Sequence, residues 1–148
     1  MQVEIIENIK TKLKVIIHCS KIDDDVLKLK NYIEQFDNKI KAKKDNQTYF
    51  ININSVLYFE SVDNNTFLYT ECDVMQIKYR LYELEKMLCE KDFIRISKSQ
   101  IVNINKINSL KPEINRTILA TMCNGECLHI SRKYVKKLLD MLSIRGNK

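Results

Sequence analysis

Two segments of this 148-residue chain combine basic and short polar side chains in a pattern suited to gripping a polyanion. The first is Phe93-Ile94-Arg95-Ile96-Ser97-Lys98-Ser99-Gln100-Ile101-Val102-Asn103. Arg95, Lys98 and Ser99 are phosphate or base-edge donors at a strand-to-loop corner. Ser97, Gln100 and Asn103 add short polar groups of the types that contact phosphates and base edges. The second segment is Ile130-Ser131-Arg132-Lys133-Tyr134-Val135-Lys136-Lys137, whose cations crowd the start and middle of a helix. Cations at a helix N-terminus oppose its dipole, so they are not placed for helix stability. A bound phosphate relieves that conflict, and the helix start itself offers free N–H groups. Lys136 and Lys137 also suit a solvated face; Arg132 and Lys133 suit it less well.

Other chemistry has weaker support. Cys123, Cys127 and His129 form the one tempting metal cluster, in the run CNGECLH. A structural zinc site needs four ligands, and the fourth is missing. These residues read instead as strand positions flanking a hairpin turn, with Cys127 on the core face. The five cysteines are odd in number and contain no CxxC, and no leader precedes them, so a reducing cytoplasm is the expected setting. No P-loop, GxGxxG, GxSxG or HExxH occurs. His18 and His129 stand near no obvious nucleophile, and Glu60 and Glu71 read as strand ends rather than a carboxylate pair. The expectation is a non-enzymatic protein without metal, cofactor or small-molecule substrate.

The elements around these segments are short. The hydrophobic fraction of 45% suits a packed core, and 2 Gly and 1 Pro exclude collagen-like, Gly-rich and Pro-rich readings. No apolar run approaches a membrane span, and the acidic, interrupted N-terminus is not a signal peptide. The formal charge is +6, but residues 1–94 hold 14 basic and 16 acidic side chains, whereas residues 95–148 hold 11 and 3. The positive charge is thus a property of the C-terminal part, which points to nucleic acid or an anionic surface there.

Strands are expected at residues 3–6 and 13–19, which are rich in β-branched side chains. Asp23, Asp24 and Asp25 open a helix with Val26, Leu29, Ile33 and Phe36 on one face, fading near Asn38. Further strands are expected at 41–44, 48–53, 56–61, 66–71, 74–78, 93–96, 107–111, 117–122 and 127–130. Residues 101–104 suit either a strand or a helical turn. Asp45-Asn46, Asp63-Asn64-Asn65 and Asn124-Gly125 are turns. Residues 80–90 form an amphipathic helix through Leu81, Leu84 and Leu88, and Ser131 caps a last helix. The pattern is an α+β chain, predominantly β and antiparallel. No two helices joined by a short turn occur in the basic half, so helix-turn-helix fits poorly.

In this order and spacing, Val56-Leu57-Tyr58-Phe59-Glu60-Ser61, Leu81-Tyr82-Glu83-Leu84-Glu85, FIRISKSQIVNINKI and ISRKYVKKL resemble the LytTR family of bacterial DNA-binding domains. The resemblance runs from near Thr48 to about Leu142. It implies short antiparallel sheets of about ten strands with small helices. It also implies loops entering two successive major grooves, with a third contact in the intervening minor groove. Carried onto this chain, the first loop is Asp63, Asn64, Asn65, Thr66 and Phe67, with Thr66 where some relatives have His. The second is Ser97, Lys98 and Ser99, with Lys98 where some have Asn. The third is Ser131, Arg132 and Lys133, joined by Lys136, with Lys133 where Arg often stands. Lysine there offers a point charge rather than a bidentate fork. Asn103 matches a family Asn expected to be structural.

The resemblance further implies a bacterial, cytoplasmic transcription regulator whose partner is double-stranded DNA at promoter sites with paired half-sites. Residues 45–148 are expected to form the DNA-binding domain, and residues 1–44 an N-terminal β-β-α extension. About 45 residues leave no room for the receiver that precedes many LytTR domains. The extension is expected to mediate homodimerisation or contact with a small membrane-protein partner. The alternative from another class is a basic protein- or RNA-interaction module; RNA readers usually expose aromatic side chains on a sheet.

Overall fold

The computed structural model describes residues 1–8 and 13–146, with side chains described as far as Ser143. The chain divides into two compact units, Met1–Asp37 and Asn38–Lys148.

In the first unit, helix α1 spans Asp24–Phe36. Asp23 caps it, its Oδ1 accepting from the Val26 N–H at 3.0 Å, and Asp24 and Asp25 occupy the first turn. Carboxylates there complement the positive end of the helix dipole. Val26, Leu29 and Ile33 are half-buried, as the expected face requires, whereas Phe36 is exposed. The strands expected at residues 3–6 and 13–19 are absent, so the extension is not a β-β-α unit. Their β-branched residues describe a fit to a pleated, half-buried surface, and an unpaired segment has no ladder to complete.

Among its described residues the second unit holds ten strands in two sheets. They are β1 (Lys39–Lys44), β2 (Gln47–Asn52), β3 (Tyr58–Val62), β4 (Asn65–Tyr69), β5 (Val74–Ile77), β6 (Phe93–Arg95), β7 (Gln100–Asn103), β8 (Ile107–Pro112), β9 (Ile118–Met122) and β10 (Cys127–Ile130). Helix α2 is Leu81–Met87 and α3 is Arg132–Gly146. With α1 this gives the predominantly β, α+β architecture expected of the chain, among the described residues. Every pairing is antiparallel, in the orders β2-β1-β5-β4-β3-β7-β6 and β10-β9-β8. Strand β1 belongs to the larger sheet, pairing Ala42 with Tyr49 and Lys43 with Gln76, and the second compact unit takes in residues from Asn38 onward. Residues 101–104 resolve into the end of β7 followed by a 3-10 turn, Ile104–Lys106.

Alternation along these strands builds two cores. One face of the large sheet, through Ile40, Ala42, Phe59, Leu68, Met75 and Ile77, packs against Leu81, Leu84 and Leu88. On the other face, Tyr58, Val102 and Ile94 pack with Ile118, Ala120, Met122, Leu128 and Ile130 of the small sheet and with Leu138 of α3. Full burial of each large aliphatic side chain contributes about 1.5–3 kcal/mol. Tyr58 and Tyr69 stack at 4.3 Å between ring centroids. Asn103 is buried at 2% exposure. Its Nδ2 donates to the Val56 carbonyl at 2.9 Å, and its Oδ1 accepts from the Asn105 N–H at 3.0 Å. It is therefore structural, as expected, closing the chain turn between β7 and β8.

Candidate nucleic-acid interface

The first loop is a two-residue hairpin turn, Asp63-Asn64, closed by the Val62–Asn65 pair. Both residues have positive φ, 49° and 64°. Turns of this type match the twist of paired strands, and Asp and Asn tolerate the left-handed region better than other side chains. Arg80, just before α2, donates from Nη1 to the Asn64 carbonyl at 2.7 Å. Gln76 donates to Asn65 Oδ1 at 3.1 Å. Asn64 and Asn65 are exposed, as a reading role requires. Thr66 is not: it is 3% exposed and points to the same face as Leu68. Strand period places residues 66 and 68 inward and Phe67 outward, where it is half-buried. Thr66 is thus buried beneath the turn, where it lines the floor of the cleft beside Asn64 and Asn65.

The second loop, Ser97 to Ser99, joins β6 to β7, and Lys98 at its tip is exposed. Ser97 Oγ accepts from the Ser99 N–H at 3.2 Å, and the Ile96 N–H donates to the Gln100 carbonyl at 3.0 Å. Arg95 was expected among the DNA donors, but its guanidinium is engaged within the protein. Nε donates to the Ser97 carbonyl at 2.8 Å, Nη2 donates to the Lys98 carbonyl, and Nη1 pairs with Glu85 at 3.3 Å. Its side chain is only 17% exposed. Arg95 fixes the loop and draws its carbonyls inward.

The third loop leads from β10 into α3. Arg132, Lys133 and Lys136 are exposed, and Ser131 is half-buried. Lys133 Nζ lies 5.5 Å from the centroid of the Tyr134 ring, close enough for a cation–π contact. Arg116, on the turn between β8 and β9, lines one shallow groove with Arg132, Lys133 and Lys136. Sequence reading missed Arg116, because only the pairing of β8 with β9 carries it to the helix start.

Backbone hydrogen bonds join these loops. The Ser61 N–H, just before the first turn, donates to the Ser99 carbonyl at 2.8 Å. The Ser131 N–H, opening the third, donates to the Ile96 carbonyl beside the second at 2.9 Å. A side-chain network supports the joint. Glu60 accepts from the Gln100 amide and from the Tyr69 hydroxyl, each at 2.9 Å. Burial, and then the bond to Glu60, push the Tyr69 hydroxyl up to about 12. Segments more than thirty residues apart in sequence are thereby held as neighbours, the first two at the end of the large sheet and the third where the small sheet leads into α3.

The cysteine and histidine candidates separate. Cys123 Sγ lies 3.4 Å from Glu71, and His129 Nδ1 lies 3.2 Å from Glu113. Desolvation and the Glu71 carboxylate raise the Cys123 pKa, which disfavours the thiolate that binds metals or attacks electrophiles. Cys127 is exposed, because Leu128 and Ile130 take the inward positions of β10. Among the described residues, no three His, Cys, Asp or Glu side chains are grouped to hold a metal ion. Among the same residues, no helix is long and apolar enough to cross a membrane.

A two-sheet scaffold that offers linked loops and exposed cations, with no helix pair among the described residues of its basic part, defines a class of β-rich, loop-presenting domains. Residues 46–143 match the LytTR family, described as the LytTr DNA-binding domain. The chain belongs to this family. A solved LytTr DNA-binding domain from Bacillus cereus superposes with a TM-score of 0.65 at 32% identity, covering 69% of this chain and 96% of that one. Uncharacterized HTH-type transcriptional regulators of Staphylococcus aureus, among them those of strains NCTC 8325 and COL, are 34% identical over 137 residues. The alignment covers 91% of this chain and 92% of each relative.

Proposed function

We propose that the protein is a sequence-specific transcription regulator that binds duplex DNA through its three linked loops. The observation that carries this reading is the pair of backbone hydrogen bonds, Ser61 to Ser99 and Ser131 to Ile96, that gather the loops on one scaffold. Asn64 at the first turn offers an amide suited to base edges in a major groove, and Asn65, whose amide bonds Gln76 and the Asp63 carbonyl, orders the turn beside it. Lys98 at the second loop and Arg132, Lys133 and Lys136 at the third supply positive charge. The proposed geometry is two successive major grooves with a minor-groove contact between them. Names of the Staphylococcus aureus relatives as transcriptional regulators support the regulatory role. The chain acts without catalysis, in the cytoplasm.

Selection from random duplex DNA, followed by sequencing, tests this directly. An enriched motif whose affinity falls with salt is expected, since bound cations displace counterions. Return of no enriched sequence rejects sequence-specific binding. Competition with RNA separates the alternative basic module, and the burial of Tyr58 deprives that module of one aromatic platform residue.

The proposal extends to assembly. Residues Val3, Ile5, Ile6, Leu13, Val15 and Ile16 of the first unit are exposed. We read these exposed apolar residues as the docking segment of the extension. The extension serves homodimerisation, which places two domains on paired half-sites, or contact with a small membrane protein. Dimeric binding appears in the selection as two half-sites at a fixed helical spacing.

A further inference from the structure

The outer face of the large sheet is only partly covered by the small sheet and α3. Strands β3, β6 and β7 lie under that cover through Tyr58, Ile94 and Val102. Beside the first loop the face opens into a cleft lined by Lys41, Lys43, Lys78 and Arg80 together with Asn64 and Asn65, and among the described residues no carboxylate lines it. Alternation in β1 sends Ile40 and Ala42 to the core, so Lys41 and Lys43 emerge together on the open face. Lys43 pairs with Gln76 in the antiparallel register, and Lys78, just past the end of β5, lines the same cleft.

Ion pairing separates these lysines from their neighbours. Lys44 is bound to Asp73, and Lys28 and Lys30 pair with Asp25 and Glu34. Among the described residues no ion pair engages Lys41, Lys43 or Lys78. Like charges facing across a sheet are destabilising, so three unpaired ammonium groups beside one another are poorly explained by stability. A polyanion along the face removes the repulsion. Lys41 and Lys43 stand two strand residues apart, about 6.6–6.8 Å, a separation that lets each reach a different phosphate. Arg80 has a second part, because its bond to the Asn64 carbonyl ties the cleft to the turn.

We infer that this cleft is a phosphate-binding track: Lys41, Lys43 and Lys78 grip the DNA backbone flanking the groove that the Asp63-Asn64 turn enters. The inference rests on the DNA-binding reading above and adds contacts from β1 and β5. It also answers the lack of any cation in the first loop itself, because pairing of distant strands supplies the attraction there.

The test is the salt dependence of duplex binding by the full chain and by Lys41→Gln/Lys43→Gln, on the selected sequence. Each phosphate contact contributes about 0.9 to the slope of log affinity against log salt. The double variant is expected to lose roughly 2 in slope and to bind more weakly, while selecting the same bases. Its melting temperature should equal or exceed that of wild type, because both side chains are exposed and their mutual repulsion is removed. Lys86→Gln removes an exposed charge from α2, which packs on the sheet's other face, and should leave the slope nearly unchanged. An unaltered slope in the double variant, with wild-type binding intact, overturns the track alone. Wild-type binding without any preferred sequence rejects the regulator reading, and the track then stands only if the slope still depends on Lys41 and Lys43. No binding to any duplex removes both.

Discussion

At the residue scale, Arg95 and Lys98 divide the second loop's work in a way their shared charge conceals. Arg95 donates to the carbonyls of Ser97 and Lys98 and pairs with Glu85, whereas the Lys98 side chain is exposed. Lys98→Ala should therefore lower the salt slope by about 0.9. Arg95→Ala frees the loop carbonyls without removing a phosphate contact. It should broaden base preference while leaving the slope close to wild type. Salt titrations paired with selection on each variant check this division, and a slope loss for Arg95→Ala equal to that of Lys98→Ala rejects it. Tyr69 offers a second, independent readout. Burial and the Glu60 carboxylate raise its hydroxyl pKa to about 12, above the value of about 10 in an unfolded chain. The neutral hydroxyl is favoured in the folded state. Its stabilisation is complete below about pH 10 and is lost as pH rises toward 12. Urea unfolding across that window should show a steeper fall for wild type than for Tyr69→Phe, and parallel curves contradict the assignment.

At the element scale, the first reading loop depends on a turn that accepts few residues. Asp63 and Asn64 both hold positive φ, which costs an ordinary L-residue roughly 1–2 kcal/mol. Asn64→Gly should preserve stability, and Asn64→Val should lower it by about 1–2 kcal/mol, read from chemical denaturation midpoints. Equal stability in the two variants contradicts a turn-controlled loop. That turn was legible in the sequence, because Asp-Asn-Asn between alternating strands carries a local signal. Most strands of the second unit were legible for the same reason, and so was the start of α1 at Asp23. The inward position of Thr66 was also available, since Leu68 two residues on is apolar and strand period is two. The engagement of Arg95 was not, because it depends on carbonyl directions in a folded loop. Lys41 and Lys43 read as a charged strand, but their place beside Asn64 follows from pairing β1 with β5, a non-local contact no window of sequence contains. The strands expected at 3–6 and 13–19 failed for the opposite reason: β-branched composition was present and a paired neighbour was not.

At the scale of the whole molecule, the boundary between the two units decides how the extension is to be tested. Removal of residues 1–37 leaves both cores of the second unit complete, and the shortened chain should fold with nearly unchanged denaturation behaviour. Removal of residues 1–44 takes β1 as well. Ile40 and Ala42 leave the first core, and β2 loses the strand that joins it to β5. The buried isoleucine alone contributes about 1.5–3 kcal/mol, before any ladder hydrogen bonds, against a total domain stability of about 5–15 kcal/mol. The longer truncation should thus be markedly destabilised, and its loss of DNA binding says nothing about dimerisation. Light scattering on the full chain and on residues 38–148 isolates the extension's role. If the extension dimerises the protein, the full chain scatters as a dimer and residues 38–148 as a monomer. The shortened form should then bind one half-site with little loss and two half-sites without their joint gain in affinity. An unchanged oligomeric state in the folded 38–148 form removes the dimerisation role and leaves the exposed apolar residues of the extension to a different partner.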